Sequence, residues 1–581
     1  MFNFLKRKKQ NSFIISRFNS MLIAALIECS VSVIMGVADN IVSGNVISQT
    51  ALSGLTLVAP FLTISLYVST IVAPGIGVQY AELTGQMETE KANRVFSQGL
   101  IVSVFNGAVM FLLLTLFGNA YLTMMAPSAA VFEQAAAYLV YFRYMALLFP
   151  IACYISHVVY WDGDEKLFLV ASTARIICAL GLSVLLAFKI GIAGLGIGSS
   201  IGLLVQILID SLHFFRKVNT YRFRFALSLK VMLKTLKISL PDCVEYGVWA
   251  ILSFTMSLLI LTHANSDYLP LVTVILSVMQ MYMLFGGIGS VLLPMVAVYR
   301  GEGNIDGERR IMYHALRVAF WLGLMMTVIF FIFPQIVTVA YGIHEPAIAQ
   351  VVLRVIRIVA VTFLTSAVGM TLSSYFLYTD RVGINLLSTL MQQLLGPIIG
   401  MIALTSIFNI LGPALGVLFG NVLGFAAFLL LMGLIKGFRT LPLLIKEPSP
   451  KMVHFFEFEV TPAGIRDMMT KAEALLQENG AAKRTIFKTK LFIEEIMTVV
   501  MNRNASSEKM VLAECTLKLG DDLTIILRDD GEIFNVLAED GTVDSLSSFI
   551  LNGLMTKQQE KMNALNFACN RNVIRLPLQE G

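Results

Sequence analysis

Residues 34–45 read Ile34-Met-Gly-Val-Ala-Asp-Asn-Ile-Val-Ser-Gly-Asn45 and end the first long apolar segment of the chain, which begins near residue 16. The segment exceeds the roughly 20 apolar residues that cross a bilayer as a helix. A carboxylate within hydrocarbon is costly, so in membrane helices it usually faces a cavity or a partner and marks an ion or proton path. Asp39 therefore predicts a membrane-spanning helix with a polar path beside it.

Similar apolar segments recur along most of the chain. Hydrophobic residues make up 56% of the 581 residues and charged residues only 14%, too little charge to cover a water-soluble protein of this length. The runs are continuously apolar, which indicates helices rather than the alternating strands of a membrane barrel. We predict an all-α polytopic membrane protein with twelve transmembrane helices, near 16–43, 50–79, 95–124, 131–160, 167–189, 192–215, 238–262, 268–298, 311–341, 347–378, 383–407 and 412–435.

Charged residues are concentrated in every second break between the predicted helices. These breaks include Glu88-Thr-Glu-Lys-Ala-Asn-Arg94 and a basic run from Arg216 to Lys237, whereas the other breaks hold almost no Lys or Arg beyond Lys189. The positive-inside rule then places both termini in the cytoplasm of a multi-pass protein of the cell membrane. We expect the basic run to contact anionic lipid headgroups rather than nucleic acid.

A weak internal repeat divides the membrane part into two halves, 1–225 and 226–440. Gly85-Gln-Met-Glu-Thr-Glu-Lys91 is similar to Gly303-Asn-Ile-Asp-Gly-Glu-Arg309, and Ala193-Gly-Leu-Gly196 is similar to Pro413-Ala-Leu-Gly416. With six helices in each half, the two lobes have the same orientation and form a parallel repeat. Such repeats place the substrate path between the lobes.

The composition changes after residue 440. Residues 441–452 contain three prolines and form a predicted stiff linker, because proline cannot continue a helix. Residues 453–581 have ordinary soluble composition. We predict strand 456–461, helices 462–479 and 484–502, and strands 509–518 and 521–528, which together indicate a small cytoplasmic α+β domain.

Several motifs of the membrane part resemble the multidrug and toxic compound extrusion (MATE) family. They are Gly36-Val-Ala-Asp-Asn-Ile-Val-Ser-Gly44, Ala51-Leu-Ser-Gly-Leu-Thr-Leu-Val-Ala-Pro60, Tyr80-Ala-Glu-Leu-Thr-Gly85 and Asp162-Gly-Asp164. The resemblance covers about residues 15–436. It implies two six-helix lobes around a V-shaped cavity and export in exchange for protons or sodium ions. In that family the acidic residue that matches Asp39 is central to cation coupling.

The residues near Asp39 are consistent with either coupling ion. An inward-facing Asp39 would be ionised when solvated and neutral when its cavity closes, because desolvation favours the neutral carboxyl group. Asn40 and Asn45 would instead supply amide oxygens for a sodium ion. Glu28 precedes Asp39 by eleven residues and lies within about 20° of it on a helical wheel. Alternatively, Asp39 snorkels to the membrane interface and Glu28 only meets cytoplasmic water.

The second half differs from those family members that bind sodium through acids in the seventh and tenth helices. Asp242 and Glu245 lie near the start of the seventh predicted helix, but the tenth contains no acid. We therefore expect coupling to rest on the first half, with Asp242 and Glu245 as secondary candidates. Arg143 and Arg175 are candidate counter-charges for the first-half acids, or simply lie near helix ends.

The C-terminal residues resemble histidine-kinase-type ATPase domains, especially the anti-sigma-factor kinase branch. Phe492-Ile-Glu-Glu-Ile-Met-Thr-Val-Val-Met-Asn502 resembles the helix with the catalytic acid, at Glu495, and Leu527-Arg-Asp-Asp-Gly-Glu-Ile-Phe-Asn535 resembles the adenine-binding loop, with Asp529 and Gly531. However, Val499 replaces the magnesium-binding asparagine, and the glycine-rich lid is missing. Without those groups phosphoryl transfer loses its electrostatic support, so we expect a degenerate domain for regulation or for contact with a cytoplasmic protein.

Three functions compete on this sequence. A MATE-like antiporter would export organic cations, with a proton or sodium ion as coupling ion and without a resident cofactor or metal. A flippase for lipid-linked or polyanionic cargo would use basic residues such as Arg143, Arg354 and Arg357. A membrane sensor with an ATPase or kinase tail is the weakest reading, because the magnesium ligand and lid are lost. If the protein is an antiporter, as we expect, it is not an enzyme.

Overall fold

The computed structural model describes residues 12–42, 47–86, 88–125, 129–216, 219–263, 270–340, 346–445, 452–506, 510–520, 522–533, 561–563 and 569–578. Within these residues, nine segments have the length and hydropathy of a membrane span. One of the nine, Val382–Lys436, contains more than one helix. A polytopic helical membrane fold is therefore present, and the count of twelve stays a prediction.

The helices of the first half are long and are separated by short connections. They are α1 (Phe13–Val42), α2 (Gln49–Gly85), α3 (Thr89–Met125), α4 (Ala129–Trp161), α5 (Glu165–Ile190) and α6 (Ala193–Ser211). The second half is more interrupted. It contains α7 (Leu229–His263), α8 (Pro270–Gln280), α9 (Met283–Glu302), α10 (Ile305–Ile332), α11 (Gln335–Ala340), α12 (Pro346–Ala360), α13 (Thr362–Tyr378), α14 (Val382–Thr389), a π-helical turn (Leu390–Leu395), α15 (Gly396–Phe408) and α16 (Gly412–Lys436).

Glycines bring the last two helices of each half into backbone contact. A Cβ added to Gly198 of α6 would lie 2.6 Å from the Ser183 backbone nitrogen of α5. A Cβ added to Gly416 of α16 would lie 2.3 Å from the Met401 backbone nitrogen of α15. Small residues permit such close packing where lipid supplies no hydrophobic drive between helices. The two hairpins occupy equivalent places in the sequence repeat.

The two halves touch at one end of the bundle, called here the proximal end and marked by Gly85 of α2 and Gly301 of α9. A Cβ on Gly85 would lie 2.6 Å from the Val298 carbonyl oxygen and 3.0 Å from the Gly301 Cα. Asn19 of α1 and His314 of α10 also meet there, with 2.8 Å between Oδ1 and Nε2. The proximal end is thus closed by contacts between the halves.

A small antiparallel sheet lies beyond α16. Its strands are β1 (Val453–Glu459), β2 (Leu512–Lys518), β3 (Asp522–Asp529), β4 (Lys561–Asn563) and β5 (Asn570–Pro577), in the order β1-β2-β3-β5-β4. Two helices, α17 (Pro462–Glu478) and α18 (Lys483–Arg503), accompany it. The predicted strands and helices lie within a few residues of these bounds. That the region forms a separate domain stays a prediction, as do all the predicted domain boundaries.

Both faces of this sheet are buried. Ala513, Cys515 and Leu517 of β2 belong to the apolar cluster with α17 and α18. Alternate residues of a strand point to opposite faces, and Leu512 belongs instead to the core cluster of the membrane helices. Glu514 and Thr516 share that second face and are also fully buried. The sheet therefore packs its second face on the proximal end.

Candidate functional site

A buried polar cluster lies among the helices of the first half. Arg175 of α5 has its Nη1 3.8 Å from Glu28 Oε1 of α1 and donates a hydrogen bond of 3.2 Å to Gln206 Oε1 of α6. Gln206 Nε2 in turn donates to Ser156 Oγ of α4 at 3.1 Å. The Glu28 and Arg175 side chains are 22% and 17% exposed. Four helices thus place one acid and one base in a common, mostly closed site.

Asp210 extends this cluster by one turn of α6 from Gln206 and has no exposed surface. It lies beside Ser156, yet neither carboxylate oxygen accepts a hydrogen bond of normal geometry from the described residues. A buried carboxylate without such partners is costly when charged. A bound proton or cation would remove that cost, so Asp210 is a candidate for binding one in this site. We call Glu28, Ser156, Arg175, Gln206 and Asp210 the polar cluster.

His157 lies next to this cluster on α4. Its Nδ1 is 2.7 Å from the Cys153 carbonyl oxygen, and its ring packs edge-on against Trp161. Both Glu28 and Asp210 are close enough to interact with it electrostatically. An imidazole beside two carboxylates provides a second group that can hold a proton near neutral pH.

The structure describes the side chains of only some of the predicted coupling residues. Glu28 lies in the polar cluster, whereas Asp39 and Asn40 belong to α1 in a stretch whose side chains lie outside the description, and Asn45 lies outside the described residues. Asp242 and Glu245 belong to α7, again in a stretch of undescribed side chains.

The two candidate counter-charges also differ in position. Arg175 is next to Glu28, as described above. Arg143 donates to the Val140 carbonyl oxygen and lies over the rings of Phe111 and Tyr144, at 5.8 and 5.5 Å. Arg143 is therefore engaged locally on α4.

Asp210 was not among the site residues predicted from the sequence. It is an acid inside the sixth predicted apolar segment, 192–215, which is the same signal that drew attention to Asp39. Asp210 also lies close to His213 and to the basic run, a position typical of a helix end. Gln206 and Ser156 carried no such signal, because uncharged polar residues are common in membrane helices.

The Asp162-Gly-Asp164 motif forms a second network, at the proximal end. His213 bridges the two acids, with 2.9 Å to Asp162 Oδ2 and 3.1 Å to Asp164 Oδ2. Arg216 also donates to Asp164 at 2.8 Å, and the Thr220 backbone N–H donates to Asp162 at 2.8 Å. Burial raises the pKa of Asp162. Since its acceptors are occupied by protein donors, this network fixes the connection after α6 rather than binding a ligand.

The predicted nucleotide residues are engaged within the C-terminal region. The Asp529 Oδ1 atom accepts hydrogen bonds from Asn570 Nδ2 at 2.8 Å and from the Gly531 backbone N–H at 3.1 Å. Asp529 is fully buried, and burial raises its pKa to about 7. Val499 is packed in the apolar cluster with α17 and α18, and Glu495 is half-buried on α18. Residues 546–555, where such domains carry the glycine-rich lid that this sequence lacks, lie outside the described residues.

Comparisons with known proteins identify the fold. The MatE family model matches residues 24–185. An outward-facing multidrug resistance MATE family transporter of the MOP superfamily has a TM-score of 0.64 at 17% identity, over 74% of this chain and 100% of that one. The bent form of the Vibrio cholerae MATE transporter VcmN has a TM-score of 0.65 at 16% identity, over 74% and 99%.

A third structure, a MOP superfamily transporter from Pyrococcus furiosus, has a TM-score of 0.65 at 18% identity, over 72% of this chain and 96% of that one. It is described as having a binding pocket of reversed polarity that suggests a different function. No curated protein matches the chain by sequence. The chain therefore has the fold of MATE transporters.

Proposed function

We propose that the protein is a secondary transporter of the cell membrane that exports organic cations in exchange for protons or sodium ions. The observation that carries this proposal is the buried Asp210 carboxylate within the polar cluster of a MATE-like fold. Parallel-repeat transporters work by alternating access between their halves, and a carboxylate in such a site can exchange one cation for another.

Charge in the polar cluster favours cationic exchange. Glu28 and Asp210 together supply two negative charges, and Arg175 supplies one positive charge. With both acids ionised, one negative charge remains, which a single proton, shared with the neighbouring His157, or one sodium ion would balance. Asp39, with the amides of Asn40 and Asn45, extends this path on α1 in our proposal, and Asp242 and Glu245 of α7 remain secondary candidates in the second half.

The same charge disfavours the flippase alternative, because a polyanionic cargo needs unpaired basic residues in its path. Of the basic residues, Arg175 belongs to the polar cluster and is already close to Glu28. Arg143 lies over aromatic rings, Arg357 donates to the Phe331 carbonyl oxygen and Arg354 is exposed on α12, so these three lie outside that cluster. We further propose that the termini and the C-terminal sheet are cytoplasmic, as the charge distribution predicts, and that this sheet contacts protein rather than hydrolysing ATP.

The test is dye-cation transport in proteoliposomes under an imposed proton or sodium gradient, with Asp39→Asn as the variant. We expect gradient-driven transport by the unaltered protein and its loss in the variant. Asp306→Asn is a matched control, because Asp306 is a half-exposed acid at the start of α10. No transport by the unaltered protein under either gradient would reject the antiporter and turn attention to a lipid-linked cargo. Transport retained in Asp39→Asn would remove Asp39 from the coupling path.

A further inference from the structure

Glu457 of β1 joins residues from both halves of the bundle. Its Oε1 accepts hydrogen bonds from the Ser12 hydroxyl at 2.7 Å and from the Ile14 backbone N–H at 3.2 Å, where α1 begins. Its Oε2 is paired with Arg310 Nη1 of α10 at 2.6 Å. One carboxylate of the C-terminal sheet therefore ties the first helix of the first half to a helix of the second half.

The attachment to the second half is fully buried and has more charged partners. Arg528 of β3 is paired with Glu302 at the end of α9 and with Glu514 of β2, and none of these three side chains is exposed. Arg571 of β5 reaches the same Glu302 oxygen at 3.1 Å, and the Tyr299 hydroxyl donates to Glu514. We call Tyr299, Glu302, Glu514, Arg528 and Arg571 the charge cluster.

The two attachments differ in what separation would cost. Removing one partner from a buried ion pair leaves an uncompensated charge, which is strongly unfavourable. In contrast, on the first-half side Glu457 binds uncharged donors, the Ser12 hydroxyl and the Ile14 N–H, and water can replace such donors when they become exposed. Opening would also separate apolar contacts, because Phe13 and Ile14 at the start of α1 are fully buried and β2 lies against α1. Among the polar contacts of the sheet, those between Glu457 and α1 are thus the weaker ones.

Glu457 also sits where the halves must part. Asn19 and His314 join α1 to α10 in the same region, and Gly85 and Gly301 bring α2 onto α9 nearby. In alternating access the proximal end opens when the halves separate, which moves α1 away from α10. Glu457 cannot then keep both Ser12 and Arg310 as partners.

We propose that the C-terminal sheet is an interaction surface for the closed proximal end, that it moves with the second half, and that Glu457 releases α1 each time this end opens. The sheet thereby favours the closed state. This inference rests on the transporter function proposed above. It also assigns a role to the C-terminal region that requires no nucleotide.

The test uses two engineered disulfides in a chain whose six native cysteines are replaced. Ser12→Cys with Glu457→Cys would lock the sheet to α1, since those side chains are in hydrogen-bond contact. Asn304→Cys with Thr516→Cys would lock the sheet to the second half, where the two side chains are 3.3 Å apart. Transport of a dye cation is measured before and after reduction, and cross-linking is followed by electrophoresis.

We expect the Ser12–Glu457 disulfide to abolish transport until reductant is added, and the Asn304–Thr516 disulfide to leave transport unchanged. Transport that continues with the first disulfide formed would overturn the proposal. So would loss of transport with both disulfides, because the sheet would then have to leave the second half as well.

A second measurement tests this proposal without relying on transport. Hydrogen exchange of the full-length Glu457→Gln variant should become faster in the first turns of α1 and stay unchanged in β2 and β3. Equal acceleration in β2 and β3 would show that Glu457 holds the whole sheet in place, which contradicts the inference. If the reduced, unlocked protein moved no dye while this contrast in exchange was observed, the transporter function would fail and the asymmetric attachment would stand.

Discussion

Arg528 and Glu302 form an ion pair in which neither side chain is exposed to solvent, although 226 residues separate them. The pair joins the C-terminal sheet to the last turn of α9. Because the Arg528 guanidinium also lies 5.1 Å from the centre of the Tyr299 ring, the contact combines charge, hydrogen bonding and aromatic packing. It fixes the sheet at the proximal end.

Replacing Arg528 with methionine should therefore detach the sheet. The change leaves Glu302 and Glu514 buried with one fewer cationic partner, and breaking a buried pair in this way costs about 3–5 kcal/mol. We expect limited proteolysis to cut the C-terminal region faster, and its melting transition to separate from that of the helices. Lys471→Met is the control, because its pair with Asp467 is exposed; comparable sensitivity in that variant would contradict our account of the charge cluster.

Attachment of the sheet should weaken as pH rises from about 5 to 8. Burial raises the pKa of Glu514 to about 7, although Arg528 opposes the shift. A carboxyl group with a raised pKa holds its proton more tightly when folded, so its contribution to stability is complete below the unfolded pKa and is lost as pH passes through the folded value.

Hydrogen exchange of β2 and β3 as a function of pH checks this prediction. We expect slow exchange at pH 5 and faster exchange at pH 8, beyond the intrinsic pH effect on exchange itself. The Glu514→Gln variant should show a flatter profile, because the neutral amide cannot titrate. An unchanged profile in that variant would assign the pH dependence to other groups.

Asp210→Asn should uncouple transport from the ion gradient. The amide keeps the shape of the side chain but cannot bind a proton or balance a cation. We expect loss of gradient-driven dye uptake, with dye binding retained and no longer dependent on pH, measured by fluorescence polarisation in detergent. Full uptake by Asp210→Asn would exclude the polar cluster from coupling.

Gly416→Ala should destabilise the helix pair α15–α16. The new methyl group would lie 2.3 Å from backbone atoms of Met401, and forcing extra volume into a packed site costs about 1–3 kcal/mol. The melting temperature in detergent should fall. Gly181→Ala is the matched control, since no atom of the described residues lies within 4 Å of a Cβ at that position. Equal melting temperatures for the two variants would show that the helices can move apart without penalty.

The full-length protein should neither hydrolyse ATP nor bind it at millimolar concentration. Asp529, the predicted adenine-binding residue, is buried and already accepts hydrogen bonds from Asn570 and Gly531. Val499 offers no magnesium ligand. Equilibrium dialysis with labelled ATP and a phosphate-release assay check both statements. Saturable ATP binding that is lost in Asp529→Ala would support the hypothesis that the C-terminal region binds a nucleotide.

Local sequence patterns predicted much of the fold. Long apolar runs located most of the helices because hydrocarbon requires a hydrophobic surface over a fixed length. The same runs concealed the breaks between α8 and α9 and at Val361 between α12 and α13, since no proline or charge marks them.

The sites were harder to predict for a physical reason. Glu514 lies between Ala513 and Cys515, and Arg528 follows Leu527, a pattern typical of a sheet with one face in water. Only the distant partner Glu302 shows that this face is buried. The polar cluster was hard to predict for the same reason. Gln206 and Ser156 become parts of one site only because tertiary packing brings α6 and α4 together.

The charge cluster has one more consequence, for assembly. Glu302 and Tyr299 on one side, and Arg528, Arg571 and Glu514 on the other, are groups that water solvates well. Before the two surfaces meet, the centre of each is hydrated and does not expose a hydrophobic patch that would bind other molecules. A newly made membrane part could therefore remain in the membrane before its C-terminal sheet has folded, without aggregating through this surface.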